Sequence, residues 1–318
     1  MKSKISVIVP IYDAEPYIER CAHSLMGQTL SEVEFVFIND CTPDSSFDLL
    51  KTIIGKYPQR SQNIKLIEHD SNKGVFFSKV EGMKAATGEY LAFCDSDDWM
   101  DTDLLEKACA VAAAKGSDIV VFDYQREFAT KSERCRRNLY DCLAKDIVAQ
   151  GYSNGFEWML PTFIMRNNRE AVNKLKVFPE IKLWEDVYIS ISMFMQLGKA
   201  SYLSGPCYHY NQTNQGSIVH NIDGHRINDC IFIAAKLNEV LPKSQNFTLE
   251  RAWLKQFAKQ GLLTNGELSK WRTTFKSSNR HILQMKNWDL TYRILLFLAA
   301  YHITFPFKLS QWVWHKIK

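Results

Sequence analysis

Short apolar runs alternate with longer segments of helical periodicity over the first 125 residues. Apolar runs of four to six residues, bounded by polar or turn-forming residues, are typical of buried strands. Five such runs lie at residues 5–10, 34–38, 64–67, 90–94 and 117–122. Segments with apolar residues every three or four positions lie between them, at residues 16–25, 46–57, 75–86 and 103–115. This alternation predicts an α/β fold, with a mainly parallel sheet flanked by helices.

The pattern is less regular after the fifth predicted strand. Residues 126–150 are polar, and the short apolar pieces that follow, such as residues 163–165, fit either a strand or a helix. A helix is expected at residues 183–197, and helices predominate after Asp223. We therefore expect a catalytic domain over residues 1–222 and a C-terminal helical region over residues 223–318.

An acidic cluster follows the fourth predicted strand. Asp95, Asp97 and Asp98 come at the carboxyl end of this strand, where open α/β sheets bind ligands. Carboxylates this close repel one another unless a cation holds them together. A divalent cation such as Mn²⁺ or Mg²⁺, shared with a phosphate-bearing substrate, meets this requirement. The alternative is a solvated turn that caps the helix predicted after it.

Other polar residues follow neighbouring predicted strands. Asp13, Asp40 and the turn Asn72–Gly74 each come after one of the first three strands. Right-handed crossovers bring the carboxyl ends of parallel strands to one edge of the sheet. We therefore expect these residues to meet the acidic cluster there, around a nucleotide-type ligand.

Composition adds an asymmetry of charge to this picture. The hydrophobic content of 46% and the charged content of 23% are ordinary for a globular protein with a sizeable core. The net charge of +4 divides into +10 over residues 251–318 and −6 over the preceding 250 residues. An acidic body with a basic tail suggests that the tail contacts an anionic partner.

The cysteines and the apolar stretches indicate the cellular compartment of the protein. The eight cysteines include no CxxC pair and no metal-ligand spacing, which favours a reducing cytoplasm over a disulfide framework. The chain begins without a long apolar signal region, and no uninterrupted apolar run reaches 18 residues. We expect a cytoplasmic protein.

Aromatic residues and cations alternate near the end of the chain. This amphipathic array favours peripheral attachment to the inner face of an anionic cell membrane. The alternative is that the rings pack within an ordinary helical region. We recognise no nucleic-acid-binding module and expect no nucleic-acid partner. The aromatic residues are Trp288, Tyr292, Phe297, Tyr301, Phe305, Phe307, Trp312 and Trp314.

The order and spacing of several motifs over residues 4–125 resemble glycosyltransferase family 2, and residues 180–220 match this family more loosely. The family implies a GT-A fold and an inverting transfer from a nucleotide-diphosphate sugar to a hydroxyl group. The motifs are Val7–Asp13 with Glu15, Gln28-Thr29, Phe37–Thr42, Asn72-x-Gly74, Gly88-Glu89-Tyr90 and Phe93–Asp98.

The resemblance assigns the donor-binding residues. Asp40 is expected to accept a hydrogen bond from the base, most often the N3–H of uracil, which favours a UDP-sugar donor. The alternative for Asp40 is a helix or turn cap. Asn72 and Gly74 are expected to border the base and ribose, although Gly74 also fits a plain turn glycine. The residues expected to line the nucleotide pocket are Pro10, Tyr12, Asp13 and Glu15.

The resemblance divides the acidic cluster by role. Asp95, with Ser96 beside it, is expected to approach the ribose, and Asp97 to ligate the cation that bridges the phosphates. Asp98 is expected to cap the following helix or orient the site. His220 is a candidate metal or phosphate ligand, and its alternative is a purely structural role.

An inverting transfer also requires a base on the face opposite the departing phosphate. Glu185-Asp186, at a predicted helix start, resembles the family's Glu-Asp motif, and we assign Asp186 as the catalytic base. The helix N-terminus is expected to favour its carboxylate form. The alternative is that both acids only satisfy the first turn of the helix.

The chain departs from the family pattern at two places. Ser78-Lys79-Val80 replaces the usual Ala-Arg-Asn, so Lys79 is expected to offer its charge to phosphate without a bidentate fork. The segment Tyr208-His209-Tyr210 resembles one that in the family often closes over the diphosphate, and Asn211 replaces an arginine that is common after its second tyrosine. We expect a metal-dependent transferase that acts on a glycan or lipid-linked acceptor in bacterial surface-polysaccharide or lipopolysaccharide synthesis. A nucleotide-sugar-binding protein without transfer activity and a nucleotidyltransferase are the alternatives.

Overall fold

The computed structural model describes residues 3–137, 139–151, 156–214, 216, 224–305 and 307. These residues cluster into two compact units. The first comprises the described residues up to 145 and those between 158 and 221. The second comprises the described residues of 146–157 and those from 222 onward. The chain thus divides close to the point where its sequence pattern changes, but residues 146–157 cluster with the second unit.

The strands follow the chain in this order: β1 Ile5–Ile11, β2 Val33–Asn39, β3 Ile64–Glu68, β4 Tyr90–Phe93, β5 Trp99–Met100, β6 Ile119–Glu127, β7 Ser132–Cys135, β8 Cys142–Leu143, β9 Phe163–Arg166 and β10 Lys199–Asn211. The α-helices are α1 Ile18–Met26, α2 Ser46–Ile54, α3 Val75–Ala85, α4 Leu104–Lys115, α5 Ala144–Gln150, α6 Arg169–Lys174, α7 Glu185–Phe194, α8 Gly224–Val240, α9 Thr248–Ala258, α10 Gln260–Thr264, α11 Leu268–Thr273 and α12 Leu290–Ala300.

The strands form one sheet in the order β3-β2-β1-β4-β9-β6-β10-β5, with β7 on β6 and β8 on β10. β1, β2, β3 and β4 are parallel, as the sequence predicts. β9 is antiparallel to both β4 and β6, whereas β10 is parallel to β6. The sheet is therefore mixed rather than mainly parallel, because the ambiguous apolar piece at residues 163–165 is a strand inserted between β4 and β6, and because β5, β7 and β8 also pair in antiparallel fashion.

Helix α3 lies unusually close to the sheet. A Cβ atom on Gly82 would lie 2.5 Å from Ile8 Cγ2, so glycine permits the close packing of α3 on β1. The chain after α3 also runs close to β1, where a Cβ on Gly88 would lie 2.6 Å from the backbone of Ile5. This packing carries Lys79 of α3 into the buried part of the first unit, where it is 2% exposed.

The second unit has its own apolar core. Trp271, fully buried, is surrounded by residues that include Ile227, Leu262 and Leu296. The Lys259 ammonium is buried as well, and donates hydrogen bonds to the Trp271 and Thr274 carbonyls at 3.0 and 2.9 Å. Burial lowers the pKa of Lys259 to about 7.

The aromatic residues of the C-terminal region divide into two groups. Trp288 and Phe297 pack against the core of the second unit, as the packing alternative predicts. Tyr301 and Phe305 are 52% and 75% exposed. Trp312 and Trp314 lie outside the described residues. Among the described helices, none combines the length and hydropathy that crossing a bilayer requires.

Candidate active site

The predicted site residues gather where β1, β2 and β4 end. Because these strands are parallel neighbours, their carboxyl ends share one edge of the sheet. Asp13 follows β1, Asp40 follows β2, and Asp95 follows β4. The single-edge arrangement predicted from the sequence is therefore confirmed for these three strands.

The loops after β1 and β2 are fastened to each other. Asp13 has a left-handed backbone (φ +50°), and its N–H donates to Thr42 Oγ1 at 2.9 Å. The Glu15 N–H donates to Asp44 Oδ2 at 2.8 Å, and the Glu15 carboxylate accepts from the Ser45 N–H at 3.0 Å. These reciprocal bonds hold the two loops in one orientation at the edge of the sheet.

Pro10 and Tyr12 differ in their surroundings. Pro10 is buried within β1, opposite Ile38 of β2. Tyr12 follows β1 directly and is 48% exposed, so its ring is accessible to a ligand. The assignment of both residues to the nucleotide pocket stays a prediction.

Asp40 is a buried carboxylate that organises the turn after β3. Its Oδ1 and Oδ2 accept hydrogen bonds from the N–H groups of Lys73 and Gly74, both at 2.8 Å. Gly74 has φ +88°, a conformation that glycine adopts without strain, and it precedes the first residue of α3. Asn72 Oδ1 also accepts from the Gly74 N–H, at 3.1 Å. A surface cleft beside this turn is lined by residues that include Phe77 and Asn72.

His69 is a member of this group that sequence reasoning missed. Its Nδ1 lies 2.7 Å from Asp40 Oδ1, and its Nε2 forms a short hydrogen bond with Glu81 of α3. The ring therefore connects the end of β3 to the Asp40 carboxylate and to α3. The position of His69 two residues after the predicted strand 64–67 was the available signal, but a lone histidine does not identify its partners.

The acidic cluster is a turn anchored on β10. The Asp95 N–H donates to Tyr208 Oη at 3.2 Å, while the Tyr208 hydroxyl donates to the Asp98 carboxylate. Asp98 Oδ1 also accepts from the Asn211 N–H at 2.7 Å, and Asp98 is 1% exposed. Asp98 thus orients the turn, and its predicted alternative role as a cap of α4 is wrong.

Asp97 and Asp95 present the accessible carboxylates of this turn. Asp97 Oδ2 accepts a hydrogen bond from Asn214 Nδ2 at 2.8 Å, and the Asp95 side chain is 34% exposed. Burial and the charge of Asp95 raise the pKa of Asp97. Ser96, between the two acids, is 9% exposed. A hard oxygen donor whose ionised form is destabilised by burial and by a neighbouring carboxylate fits a hard divalent cation such as Mn²⁺ or Mg²⁺.

Lys79 connects the acidic turn to helix α7. Its Nζ lies 2.7 Å from Asp186 Oδ1, 3.1 Å from Glu185 Oε1 and 3.5 Å from Asp95 Oδ1. Burial alone would lower the pKa of Lys79, but the charges of Asp186, Asp95 and Glu185 outweigh it and hold the pKa well above its ordinary value. The Lys79 ammonium therefore serves three carboxylates, and its predicted contact with phosphate stays a prediction.

Asp186 lies in the first turn of α7, as predicted. Its Oδ2 accepts from the Leu160 N–H at 3.3 Å, in addition to the bond from Lys79. Burial raises the pKa of Asp186 to about 7, against the opposing charge of Lys79. The sequence argument expected the helix N-terminus to favour the carboxylate, but desolvation outweighs this effect. Glu185, to which we gave no role, shares Lys79 with it.

The structure thus brings together Asp95, Lys79 and Asp186, which are far apart in the sequence. The candidate ligand His220 lies outside the described residues. Tyr208 is a second residue that sequence reasoning missed as an individual. The family-like segment Tyr208-His209-Tyr210 was the available signal. The hydrogen-bond partners of Tyr208, Asp95 and Asp98, were not predictable, because they lie more than 100 residues away in the sequence.

A mixed sheet flanked by helices, with carboxylates at the ends of β1, β2 and β4, agrees with the GT-A fold that the motif resemblance implies. The family model for glycosyl transferase family 2 matches residues 6–178, more than half of the chain. The chain therefore belongs to glycosyl transferase family 2, as the motifs predict.

Relatives in sequence are bacterial glycosyltransferases. The uncharacterized glycosyltransferase EpsJ of Bacillus subtilis is 28% identical over 214 residues, which cover 65% of this chain and 61% of EpsJ. The poly(ribitol-phosphate) β-N-acetylglucosaminyltransferase TarS of Staphylococcus aureus is 26% identical over 216 residues, which cover 67% of this chain and 36% of TarS. The chain thus matches less than two thirds of each of these relatives.

Solved structures share the fold over nearly the whole chain. TarS 1–349 from S. aureus, in complex with UDP-GlcNAc, superposes with a TM-score of 0.69 at 20% identity, covering 95% of this chain and 88% of TarS 1–349. The mannosyltransferase PcManGT from Pyrobaculum calidifontis, in complex with GDP-Man and Mn²⁺, gives a TM-score of 0.58 at 16% identity, covering 96% of this chain and 87% of PcManGT. The GT-A fold is therefore confirmed.

Proposed function

We propose that the protein is a metal-dependent inverting glycosyltransferase that moves a sugar from a UDP-sugar to a hydroxyl group of a glycan or lipid-linked acceptor. One observation carries this proposal. A single buried ammonium, Lys79 Nζ, joins the acidic turn at Asp95 to the carboxylate of Asp186. A cation-binding group and a candidate base thus belong to one cluster, as an inverting transfer requires.

The nucleotide is expected to bind along the loops after β1, β2 and β3. Exposed Tyr12 and the cleft beside Asn72 and Gly74 offer a stacking surface and close backbone approach. Each oxygen of Asp40 has two lone pairs, so the oxygen that accepts from Gly74 is able to accept a base N–H as well. The names of the S. aureus TarS structures, which include UDP and UDP-GlcNAc, support UDP as the nucleotide.

Asp97, with Asp95 beside it, would hold the divalent cation. When bound there, Mn²⁺ or Mg²⁺ would neutralise the diphosphate leaving group. The raised pKa of Asp97, caused by burial and by the charge of Asp95, supports this assignment, and Mn²⁺ in the name of the PcManGT structure agrees with it. Asn214, through its hydrogen bond, orients Asp97.

Asp186 is the proposed general base. Its carboxylate takes the proton of the acceptor hydroxyl as that oxygen bonds to the anomeric carbon, while the bond from this carbon to the diphosphate oxygen breaks on the opposite face. The configuration therefore inverts. A base with a pKa of about 7 is well matched to proton transfer near neutral pH. Lys79 holds Asp186 in position.

The acceptor is assigned only by class, less specifically than the donor. The matched relatives include an enzyme named for poly(ribitol-phosphate), which supports a role in the synthesis of a bacterial surface polymer. Exposed apolar side chains on and after α12, among them Leu290, Ile294 and Ile303, support peripheral contact with the cytoplasmic face of the membrane, where lipid-linked acceptors occur.

Donor turnover tests the proposal. The full chain is incubated with Mn²⁺ and a panel of nucleotide sugars, with and without crude lipid-linked acceptor, and release of nucleotide is measured. We expect release from one UDP-sugar, and its loss in Asp97→Ala and in Asp186→Asn. Asp48→Asn is the matched control, because this α2 side chain is 87% exposed and lies outside the site.

Other outcomes would contradict the proposal in distinct ways. Release of pyrophosphate would identify a nucleotidyltransferase. Tight binding of a nucleotide sugar without turnover in the presence of acceptor would identify a binding protein. Equal turnover by Asp186→Asn and the intact chain would remove the assigned base.

A further inference from the structure

A second cluster of metal-ligating side chains lies on β10, apart from the donor site. Successive residues of a strand point to opposite faces, so Cys207 and His209 share one face and Tyr208 points to the other. The antiparallel pairing of β5 with β10 places Met100 opposite Tyr208 and Trp99 opposite His209. Asp101 follows β5 and therefore lies beside Cys207, with its N–H donating to the Cys207 carbonyl at 3.2 Å.

One ligand atom from each of these three residues lies within 4.8 Å of the other two. His209 Nε2 lies 3.0 Å from Asp101 Oδ1, and Cys207 Sγ lies 3.6 Å from Asp101 Oδ2. Cys207 Sγ and His209 Nε2 are 3.9 Å apart. A tetrahedral zinc ion, with bonds of about 2.3 Å to sulfur and about 2.0–2.2 Å to nitrogen and oxygen, separates its ligand atoms by roughly 3.3–3.6 Å. Because the two Asp101 distances involve different carboxylate oxygens, the three ligand atoms lie near, but not at, the spacing of one face of such a tetrahedron.

The surroundings of His209 match those of a metal-bound histidine. Its Nδ1 lies 2.7 Å from Glu127 Oε1, so that Nε2 is the nitrogen directed at Asp101 and Cys207. Zinc-bound histidines commonly donate their other N–H to a carboxylate in this way. The ring also stacks on Trp99, with centroids 5.0 Å apart and planes at 5°. The imidazole is thus held in place independently of Asp101.

We propose that Asp101, Cys207 and His209 bind one zinc ion, with the fourth position open to water. Sulfur and imidazole ligands favour Zn²⁺ over Mg²⁺ or Mn²⁺, so this site is chemically distinct from the one at Asp97. The bound ion would fasten β5 to β10, the strand that carries Tyr208 and the acidic turn. The inference does not depend on the proposed transfer activity. It also differs from the sequence expectation of no metal-ligand spacing, because Asp101 reaches the cluster only through the sheet.

Cobalt titration of the full chain tests this site directly. Co²⁺ substitutes for Zn²⁺ in tetrahedral sites and reports a thiolate ligand by a charge-transfer band in the near ultraviolet. We expect one equivalent of Co²⁺ to produce this band with intense visible bands, Zn²⁺ to abolish both, and excess Mg²⁺ to leave them unchanged. Zn²⁺ should also raise the Tm of the protein.

Substitutions test which residues bind the metal ion. Cys207→Ser is expected to lose the charge-transfer band, whereas Cys41→Ser, which alters an exposed cysteine of the same unit, is expected to keep it. Asp101→Asn leaves the thiol and imidazole intact and is expected to weaken Co²⁺ binding by about tenfold or more, which covers the case in which Cys207→Ser does not fold.

A band that survives in folded Cys207→Ser, or is lost in Cys41→Ser, would overturn the proposal. So would the absence of a thiolate band in the intact chain, which would leave the cluster as a set of hydrogen bonds without a metal. Measuring Mn²⁺-dependent UDP binding in the same variants separates failure of this site from failure of the donor site.

Discussion

At the scale of residues, the cluster around Lys79 determines the chemistry of the site. Lys79 is buried and the Asp186 side chain is 21% exposed, and an ion pair that is largely shielded from water depends on the presence of both partners. Glu185 and Asp95 add negative charge around the same ammonium, so the cluster carries more carboxylates than cations. This imbalance, together with burial, raises the pKa of Asp186 towards neutrality.

Removal of the ammonium should destabilise the fold. In Lys79→Met, Asp186 and Glu185 lose their buried counter-ion, and we expect the free energy of unfolding to fall by about 3–5 kcal/mol. Urea denaturation followed by circular dichroism measures this change. The double variant Lys79→Met with Asp186→Asn should recover part of the loss, because it removes one of the uncompensated charges. A loss below about 1 kcal/mol in Lys79→Met would show that the cluster is solvated.

The pH dependence of activity should report Asp186. A general base accepts a proton only in its ionised form, so kcat/KM should rise with pH through about 7 and level off above it. At lower pH the protonated carboxyl predominates and activity falls. Initial rates of nucleotide release between pH 5 and 9, in buffers of constant ionic strength, measure the profile. An acidic limb near the ordinary aspartate pKa, about 4, would contradict the assignment of Asp186 as the buried base.

At the scale of elements, the sequence predicts the regular part of the fold well. β1 to β4 and α1 to α4 all occur at the predicted places, because their periodicity is strong and each ends at a polar or turn-forming residue. α2 is shorter than predicted, since it ends at Ile54 with Gly55 as its C-cap. β9 could not be assigned, because a run of three or four apolar residues is compatible with a strand or a helix.

The residues of the site were predictable from the sequence about as well as the fold was. Asp40, Asp95 and Asp186 were identified from motifs, because each lies at the end or the start of a predicted element. Their connections were not predictable. His69 and Tyr208 act through partners brought close only by the folded sheet, and the pKa of Asp186 depends on burial that no local pattern reports.

The anchoring of the acidic turn on β10 is testable at this scale. Tyr208→Phe removes the hydroxyl that bonds Asp98 and the Asp95 N–H, and leaves the buried Asp98 carboxylate with one donor fewer. We expect a loss of about 1–3 kcal/mol in unfolding free energy and a weaker apparent affinity for Mn²⁺ in the transfer assay. Tyr140→Phe, at a tyrosine that is 88% exposed, should change neither quantity. Unchanged Mn²⁺ affinity in Tyr208→Phe would mean that the turn keeps its geometry without this anchor.

At the scale of the whole molecule, charge and exposed apolar surface suggest a membrane contact. The basic residues after position 250 and the exposed side chains Leu290, Ile294 and Ile303 belong to the same region of the sequence. The buried Leu296 and Ala299 of α12 support the core of the second unit, so deletion of this helix would damage the fold. Exposed positions therefore offer the cleaner test.

Vesicle flotation with point variants provides that test. We expect the intact chain to float with vesicles containing anionic lipid, and to float less with neutral vesicles or at high salt. The variant Ile294→Glu with Ile303→Glu should lose flotation while keeping its transfer activity on a water-soluble acceptor. Leu49→Glu, at a comparably exposed leucine of the first unit, is the control. Equal flotation by the double variant and the intact chain would contradict the proposed contact.

The central claim is that residues distant in sequence form one site, with Asp97 serving the donor and Asp186 serving the acceptor. Calorimetric titration of UDP in the presence of Mn²⁺, on the intact chain, Asp97→Asn and Asp186→Asn, separates the two roles. We expect Asp186→Asn to bind UDP as the intact chain does although it no longer transfers sugar, and Asp97→Asn to lose the Mn²⁺-dependent part of binding. If Asp97→Asn bound UDP with Mn²⁺ as tightly as the intact chain, the metal would not be at the acidic turn and the proposed site would be wrong.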